Sequence, residues 1–216
     1  MLWTDLPLTV MDFEGCARTG VVEFGVVKLY GGRIVDTHTR LCRPRAPIDP
    51  AEARLHGIRQ GEAADFAPFE AEWERFAQAR REGLFVAHHA CVESGLLRKN
   101  WPYPPLSPGF GIVPDAADWG PWLDTRRICE AAWPGLESYG LGALLAALQL
   151  EDPLQSLAET FCPETRRKAH CALYDALASA LLLLTLGRAD GFADMPLAWL
   201  IDISVASPSH QQPELF

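Results

Sequence analysis

The sequence predicts an α/β domain built on a mixed β-sheet flanked by helices. Three observations carry that expectation. Runs of strand length come first, with turns rather than helices between them. Short apolar runs then alternate with amphipathic stretches, the pattern that adds parallel strands to a sheet. The chain has 216 residues, 49% hydrophobic and 22% charged, which suits one domain with a sizeable core.

The first strand is Leu8 to Glu14, mostly apolar until Asp12. Val21 to Tyr30 is the second, and Gly31-Gly32 signals a two-residue hairpin. Arg33 to Arg43 alternates through Ile34, Val35, Thr37, Thr39 and Leu41 as a third strand. Pro44 and Pro47 end this antiparallel portion. Asp49-Pro50-Ala51-Glu52 reads as a capped helix start, and Gly57 as its left-handed stop. Phe69 to Glu82 is amphipathic, with Phe69, Trp73, Phe76 and Ala77 on one stripe. Leu84 to His88 is a short buried strand, and Ala90 to Asn100 a helix. Trp101 to Trp122 is a long Pro- and aromatic-rich loop, whose Trp101, Tyr103 and Phe110 either stack on bases or pack the loop down. Leu123 to Thr125 is a strand end before a helix through Ile128 and Ala132. Helices follow at Leu136 to Leu150, Leu154 to Phe161, a very apolar stretch within Thr165 to Leu186, and Met195 to Ile203. The domain is expected to span 1–203, with 204–216 a flexible polar tail.

Composition narrows the function. The net charge of −9 supplies no global basic field to draw in nucleic acid, so such a partner needs a local patch or bound metal. Six dispersed cysteines with no C-x-x-C pair argue against structural zinc. Free thiols point to a reducing cytoplasm. Met1 to Thr9 has no signal-peptide pattern. The most apolar run, Ala176 to Leu186, is too short to span a bilayer, so no membrane partner is expected.

Three places carry candidate ligands. Asp12 and Glu14 sit two apart on a strand and project to the same side. Paired carboxylates repel, and a cation between them relieves the repulsion. Oxygen donors of this kind suit Mg²⁺ or Mn²⁺. His88 and His89 with Glu93 form the second place, and His170 with Asp175 the third. Asp175 lies in an otherwise apolar helix, where a charge is rarely left unpaired.

In this order the three places resemble the DEDDh family of 3′–5′ exonucleases, the DnaQ-like group. Asp12-Phe13-Glu14 is similar to its first motif and Glu23-Phe24-Gly25-Val26-Val27 to its second strand. His56-Gly57-Ile58 is similar to its histidine-glycine-isoleucine segment, and Ala87 to Glu93 to its second motif. Asp124-Thr125 and Tyr139 to Leu144 resemble intervening landmarks, and His170 to Asp175 its third motif. Three departures stand out: Glu93 for the family's aspartate, His89 for its asparagine, and Gly15-Cys16 where it has a threonine.

The resemblance implies a ribonuclease H-like sheet, three antiparallel strands followed by parallel ones. It implies two divalent cations, Mg²⁺ or Mn²⁺, held by Asp12, Glu14 and Asp175 with Glu93. It makes His170 the general base, imidazole being the side chain that exchanges protons near neutrality. The implied activity is 3′–5′ hydrolysis of single-stranded DNA or 3′ ends to nucleoside 5′-monophosphates. Phe13, Gly15, Cys16, His56, His88 and His89 are the implied substrate contacts. Arg166, Arg167 and Lys168 either guide the phosphate backbone or form a solvated charge run. Gln212, Leu215 and Phe216 resemble the terminal peptide that docks on the bacterial sliding clamp. Two alternatives stay open: an RNA-trimming exonuclease, and a non-catalytic adaptor on the same fold.

Overall fold

The computed structural model describes residues 1–189, 192 and 194–205. Its centre is a five-stranded sheet in the order β3-β2-β1-β4-β7. β1 (Leu8–Cys16), β2 (Gly20–Tyr30) and β3 (Arg33–Leu41) form an antiparallel meander. β4 (Leu84–Ala87) runs parallel to β1. The mixed α/β architecture read from the sequence is the one observed.

Between β3 and β4 lie α1 (Pro50–His56), α2 (Gln60–Ala63), a 3₁₀ turn at Phe69–Glu72 and α3 (Trp73–Glu82). α1 starts as its sequence dictates: the Asp49 side chain accepts from Ala51 N, Pro50 opens the helix, and Gly57 closes it at φ 74°. α4 (Cys91–Asn100) follows β4. The long segment after it contains a small antiparallel pair, β5 (Leu106–Ser107) and β6 (Ala116–Ala117). β7 (Trp122–Asp124) then joins the sheet parallel to β4, and α5 (Thr125–Ala132) begins at its end. α6 (Leu141–Ala147), α7 (Glu151–Phe161), α8 (Ala172–Leu186) and α9 (Leu197–Val205) complete the order.

Strand alternation sorts the core into two halves. Val10, Val27, Leu29 and Val86 face α5 to α9 and pack with the leucines of α8. Met11, Phe13, Phe24 and Phe85 face the other way, into an aromatic cluster with Phe69, Phe76, Trp101, Trp119 and Trp122. Phe69 and Trp101 pack with ring centroids 4.7 Å apart. Edge-to-face pairs such as Phe13–Phe69 add about 0.5–1.5 kcal/mol each beyond area burial. Trp101 therefore packs the loop down, whereas Tyr103 stays exposed. Arg80 of α3, almost fully buried, donates to the carbonyls of Gly83, Pro108 and Gly120 and fixes the long segment from below.

Several boundaries differ from the sequence expectation. Residues 136–140 are not helical, because the Tyr139 hydroxyl donates to Trp133 O at 2.8 Å and accepts from Leu136 N, stitching that stretch into a loop. α7 begins three residues before Leu154: Pro153 sits in its first turn, where no helix amide has a partner to lose. The third strand stops at Leu41. α9 runs through Ser204 and Val205, and the Ser204 hydroxyl accepts from Asp124 N at 2.9 Å. Among the described residues no helix is long and apolar enough to cross a membrane. Gln212, Leu215 and Phe216 lie outside the described residues.

Candidate active site

β1 outruns its parallel neighbour. The β1–β4 ladder ends at Val10↔Val86, so Asp12 and Glu14 lie beyond the carboxyl end of β4, where α4 begins. Ligand sites in such sheets form outside the carboxyl ends of strands. Asp12 and Glu14 share the α8 face with Val10. Across the β1–β2 ladder Asp12 stands opposite Gly25 and Glu14 opposite Glu23. The ladder shifts register between Glu14 and Gly15. A Cβ at Gly15 would lie 2.1 Å from Gly20 O, so only glycine fits where the strand bends away from the acids.

α8 brings the third place to the first. One carboxylate oxygen each of Glu14 and Asp175 and a ring nitrogen of His170 all lie within 4.8 Å of one another. His170 is in the left-handed region at φ 60°, and its backbone N–H donates to Asp175 Oδ2 at 2.8 Å. Glu93 reaches in from the first turn of α4, 5% exposed, and its Oε2 is buried with no hydrogen-bond partner.

The electrostatics report crowding. Burial raises the Asp12 pKa well above the carboxylate range, and Asp175, Glu93, Glu14 and Glu23 raise it further. Burial, then Asp175 and Glu23, push Glu14 up to about 8 against a smaller opposing effect of Arg166. Glu93 rises to about 8, by burial and then by Asp124. Burial lifts Asp175 to about 6, while the backbone bond and charge of His170 pull it back. A tight acidic cluster with one orphaned buried oxygen is what a divalent cation neutralises and coordinates. The residues fit a divalent cation: the ligand atoms of Glu14, His170 and Asp175 lie close enough together to hold one, among buried carboxylates that repel each other.

The other candidate residues divide. Phe13 is committed to the aromatic cluster on the opposite face. Cys16 accepts from Arg18 N, Thr19 N and the Thr19 hydroxyl, tying its own turn. His88 lies inward: Nε2 donates to Tyr139 O at 3.0 Å, leaving Nδ1 to face the Thr125 hydroxyl at 3.0 Å. His89 is exposed at φ 69° and lines a cleft of about 510 Å³ with Cys91, Arg98 and Arg127. Asp118 and Asp124 line that cleft, and Asp12, Glu14, Glu93 and Asp175 do not. Buried His56 accepts from Ile58 N on Nδ1, and its Nε2 has no partner. Burial and then Arg166 lower its pKa. Arg166 binds Glu23 and the His56 carbonyl, and Arg167 donates to the carbonyls of Glu159 and Cys162 at the end of α7. Lys168 is exposed beside Gly57.

Two residues act here that motif reading left as landmarks. Asp124 accepts from His89 N, Ala90 N, Arg126 N and Arg127 N, joining the second-motif turn to the start of α5. Its signal was its place before a helix start, an ordinary cap position. Glu23 is a further buried carboxylate, signalled by a charge inside an apolar strand.

Comparison with known proteins points to the same class of enzyme. The family model described as Exonuclease (RNase_T) matches residues 3–102, a span that includes Asp12, Glu14 and Glu93. Exodeoxyribonuclease 10 of Escherichia coli K12 is 26% identical over 194 residues, 88% of this chain and 73% of that protein. The structure of exonuclease X in complex with 5′ overhanging duplex DNA superposes with a TM-score of 0.65 at 25% identity. It covers 90% of this chain and 99% of that one. The nuclease domain of 3′hExo, a DEDDh family member bound to rAMP, shares the fold at a TM-score of 0.64 and 16% identity, over 89% of this chain and 96% of that one. With three motif segments converging on one acidic cluster, the chain is similar in motifs and in fold to the DEDDh family of 3′–5′ exonucleases.

Proposed function

We propose that this exonuclease removes nucleotides from the 3′ ends of DNA, acting on single strands or 3′ termini in the cytoplasm and releasing nucleoside 5′-monophosphates. One observation carries the reading: Glu14, His170 and Asp175 come from segments more than 150 residues apart, and their ligand atoms meet within 4.8 Å. The exodeoxyribonuclease name of the relative that covers most of the chain supports DNA over RNA. Two divalent cations held by Asp12, Glu14, Asp175 and Glu93 would acidify a water and stabilise the leaving 3′ oxygen. The His170 ring is exposed, hence open to solvent and substrate, and it stands against the two acids as the acceptor for the water's proton. Asp175 holds the His170 main chain and offers a carboxylate oxygen to the cluster. Gly15, directly after Glu14, packs against the Gly20 backbone where a side chain would not fit. His89 and Arg98 flank the cleft along which the strand would run, and Lys168 offers a cation on the other side.

The test is digestion of end-labelled DNA and RNA oligonucleotides with Mg²⁺, Mn²⁺ or EDTA. Laddering of DNA from the 3′ end that EDTA abolishes, and that Asp12→Ala and Asp175→Ala eliminate, is the expected outcome. Laddering of RNA alone would replace DNA as the substrate, and no cleavage with either metal would leave an adaptor. The terminal residues Gln212, Leu215 and Phe216 extend the proposal to a sliding-clamp partner. Deleting 212–216 should abolish clamp binding and spare hydrolysis of short oligonucleotides.

A further inference from the structure

Glu23 is 3% exposed and stands directly opposite Glu14 in the ladder. Like charges in that position oppose pairing of the strands. The offsetting charge is Arg166. Its Nε donates to Glu23 Oε1 at 2.9 Å, its Nη2 donates to Oε2, and its Nη1 donates to the His56 carbonyl at 2.7 Å. Glu23 Oε2 also accepts the backbone N–H of Ala172 at 3.0 Å. Ala172 opens α8, and no side chain of the preceding residue, Cys171, caps that helix. Glu23 supplies the missing acceptor from a neighbouring strand.

Gly25, two residues along the same face of β2, completes the seat. A Cβ there would lie 2.2 Å from Leu173 N and 2.3 Å from Ala172 C. The first turn of α8 therefore rests on bare strand backbone. His170 belongs to the short span between Arg166 and Ala172, and both ends of that span land on one carboxylate. Inside the span, His170 is in the left-handed region and its backbone is held by Asp175.

We infer that Glu23 and Arg166 are positioning residues: as a bidentate pair they set the His170 ring against Glu14 and Asp175. This rests on the exonuclease reading above. Arg166 is thereby assigned to the protein rather than to substrate phosphate, since its three nitrogens all donate to protein acceptors. A guanidinium meets a carboxylate with two parallel bonds, which a lysine cannot reproduce. A buried ion pair adds little to stability compared with apolar packing, so a geometric duty accounts for it better than a stabilising one.

The experiment is a double-mutant comparison with a spectroscopic arm. Glu23→Gln and Arg166→Lys are each made in the native chain and in His170→Ala, and DNA hydrolysis is followed at steady state over a range of substrate concentrations. In the native background kcat should fall about 10–100-fold with KM within about threefold, the scale of a slightly misplaced catalytic group. In the His170→Ala background the same changes should cost less than about threefold. Equal costs in both backgrounds would mean a general structural role and overturn the inference. In parallel, the His170 ring resonance of histidine-labelled, metal-free protein should shift or broaden in both variants while that of His38 stays put. An unmoved His170 resonance overturns the inference even where no hydrolysis can be measured. Absence of cleavage by the native chain instead counts against the exonuclease reading and leaves the resonance comparison standing. If Glu23→Gln does not fold, Arg166→Lys, which keeps the charge, decides both arms.

Discussion

The bond between His170 and Asp175 is made by main chain: the His170 N–H, not its ring, donates to Asp175 Oδ2 at 2.8 Å. The ring can therefore be removed without releasing the acid. His170→Ala should fold normally and lower kcat by about 10²–10⁴-fold, the range of a lost general base. Timed laddering of a labelled oligonucleotide checks this. A rate within about threefold of the native value would remove His170 from the proton transfer.

The raised carboxylates fix the sign of a stability profile. Glu14 and Glu93 move from 4.5 to about 8, and Asp175 from 3.8 to about 6. Between these limits the folded chain binds more protons than the unfolded one, so stability falls as pH rises. The contribution is complete below about pH 4 and lost on passing about pH 8. Urea midpoints of metal-free protein should thus be higher near about pH 5 than near about pH 8.5. Saturating Mn²⁺ should raise the alkaline midpoint more than the acidic one, because ionised ligands bind it. A metal-free midpoint that climbs with pH would contradict the crowded cluster.

His89 replaces an asparagine of the family and sits at φ 69°. Asparagine and histidine are both enriched in that left-handed region, whereas β-branched residues are not. His89→Asn should leave stability within about 0.5 kcal/mol, and His89→Val should cost about 1–2 kcal/mol. Denaturant titration separates the two, and equal midpoints would show that the backbone places no demand there.

Gly25→Ala inserts a methyl group where α8 begins, against backbone that cannot swing aside. Overpacking of this kind costs about 1–3 kcal/mol. Because the displaced turn leads into Asp175, cation affinity should fall along with stability. Calorimetric titration with Mn²⁺ on the folded variant measures the affinity, and native affinity would show that the turn recovers its place.

The sheet and the acids were legible because each is written locally. Asp12 and Glu14 share a face by strand period, and Asp175 is conspicuous within a helix of leucines. What escaped is what needs two distant segments at once. Arg166 reads as part of a basic run until Glu23, 143 residues earlier, is seen beneath it. For His88 the sequence gives no hint that Tyr139 O accepts from its Nε2. The same demand explains the missing helix at 136–140, where apolar spacing lost to the hydroxyl of Tyr139. Glu93 for aspartate was visible as a departure, but that its Oε2 ends in a buried spot with no donor belongs to three dimensions.

Arg80 gathers the carbonyls of three separate turns, and from that follows a rule for anyone who would transplant this nuclease in pieces. The stretch from Trp101 to Trp122 and the last turn of α3 form one indivisible graft. Moved without its arginine, the insert would lose the bonds that tie Pro108 and Gly120 to α3; moved with it, the whole annex should refold in place.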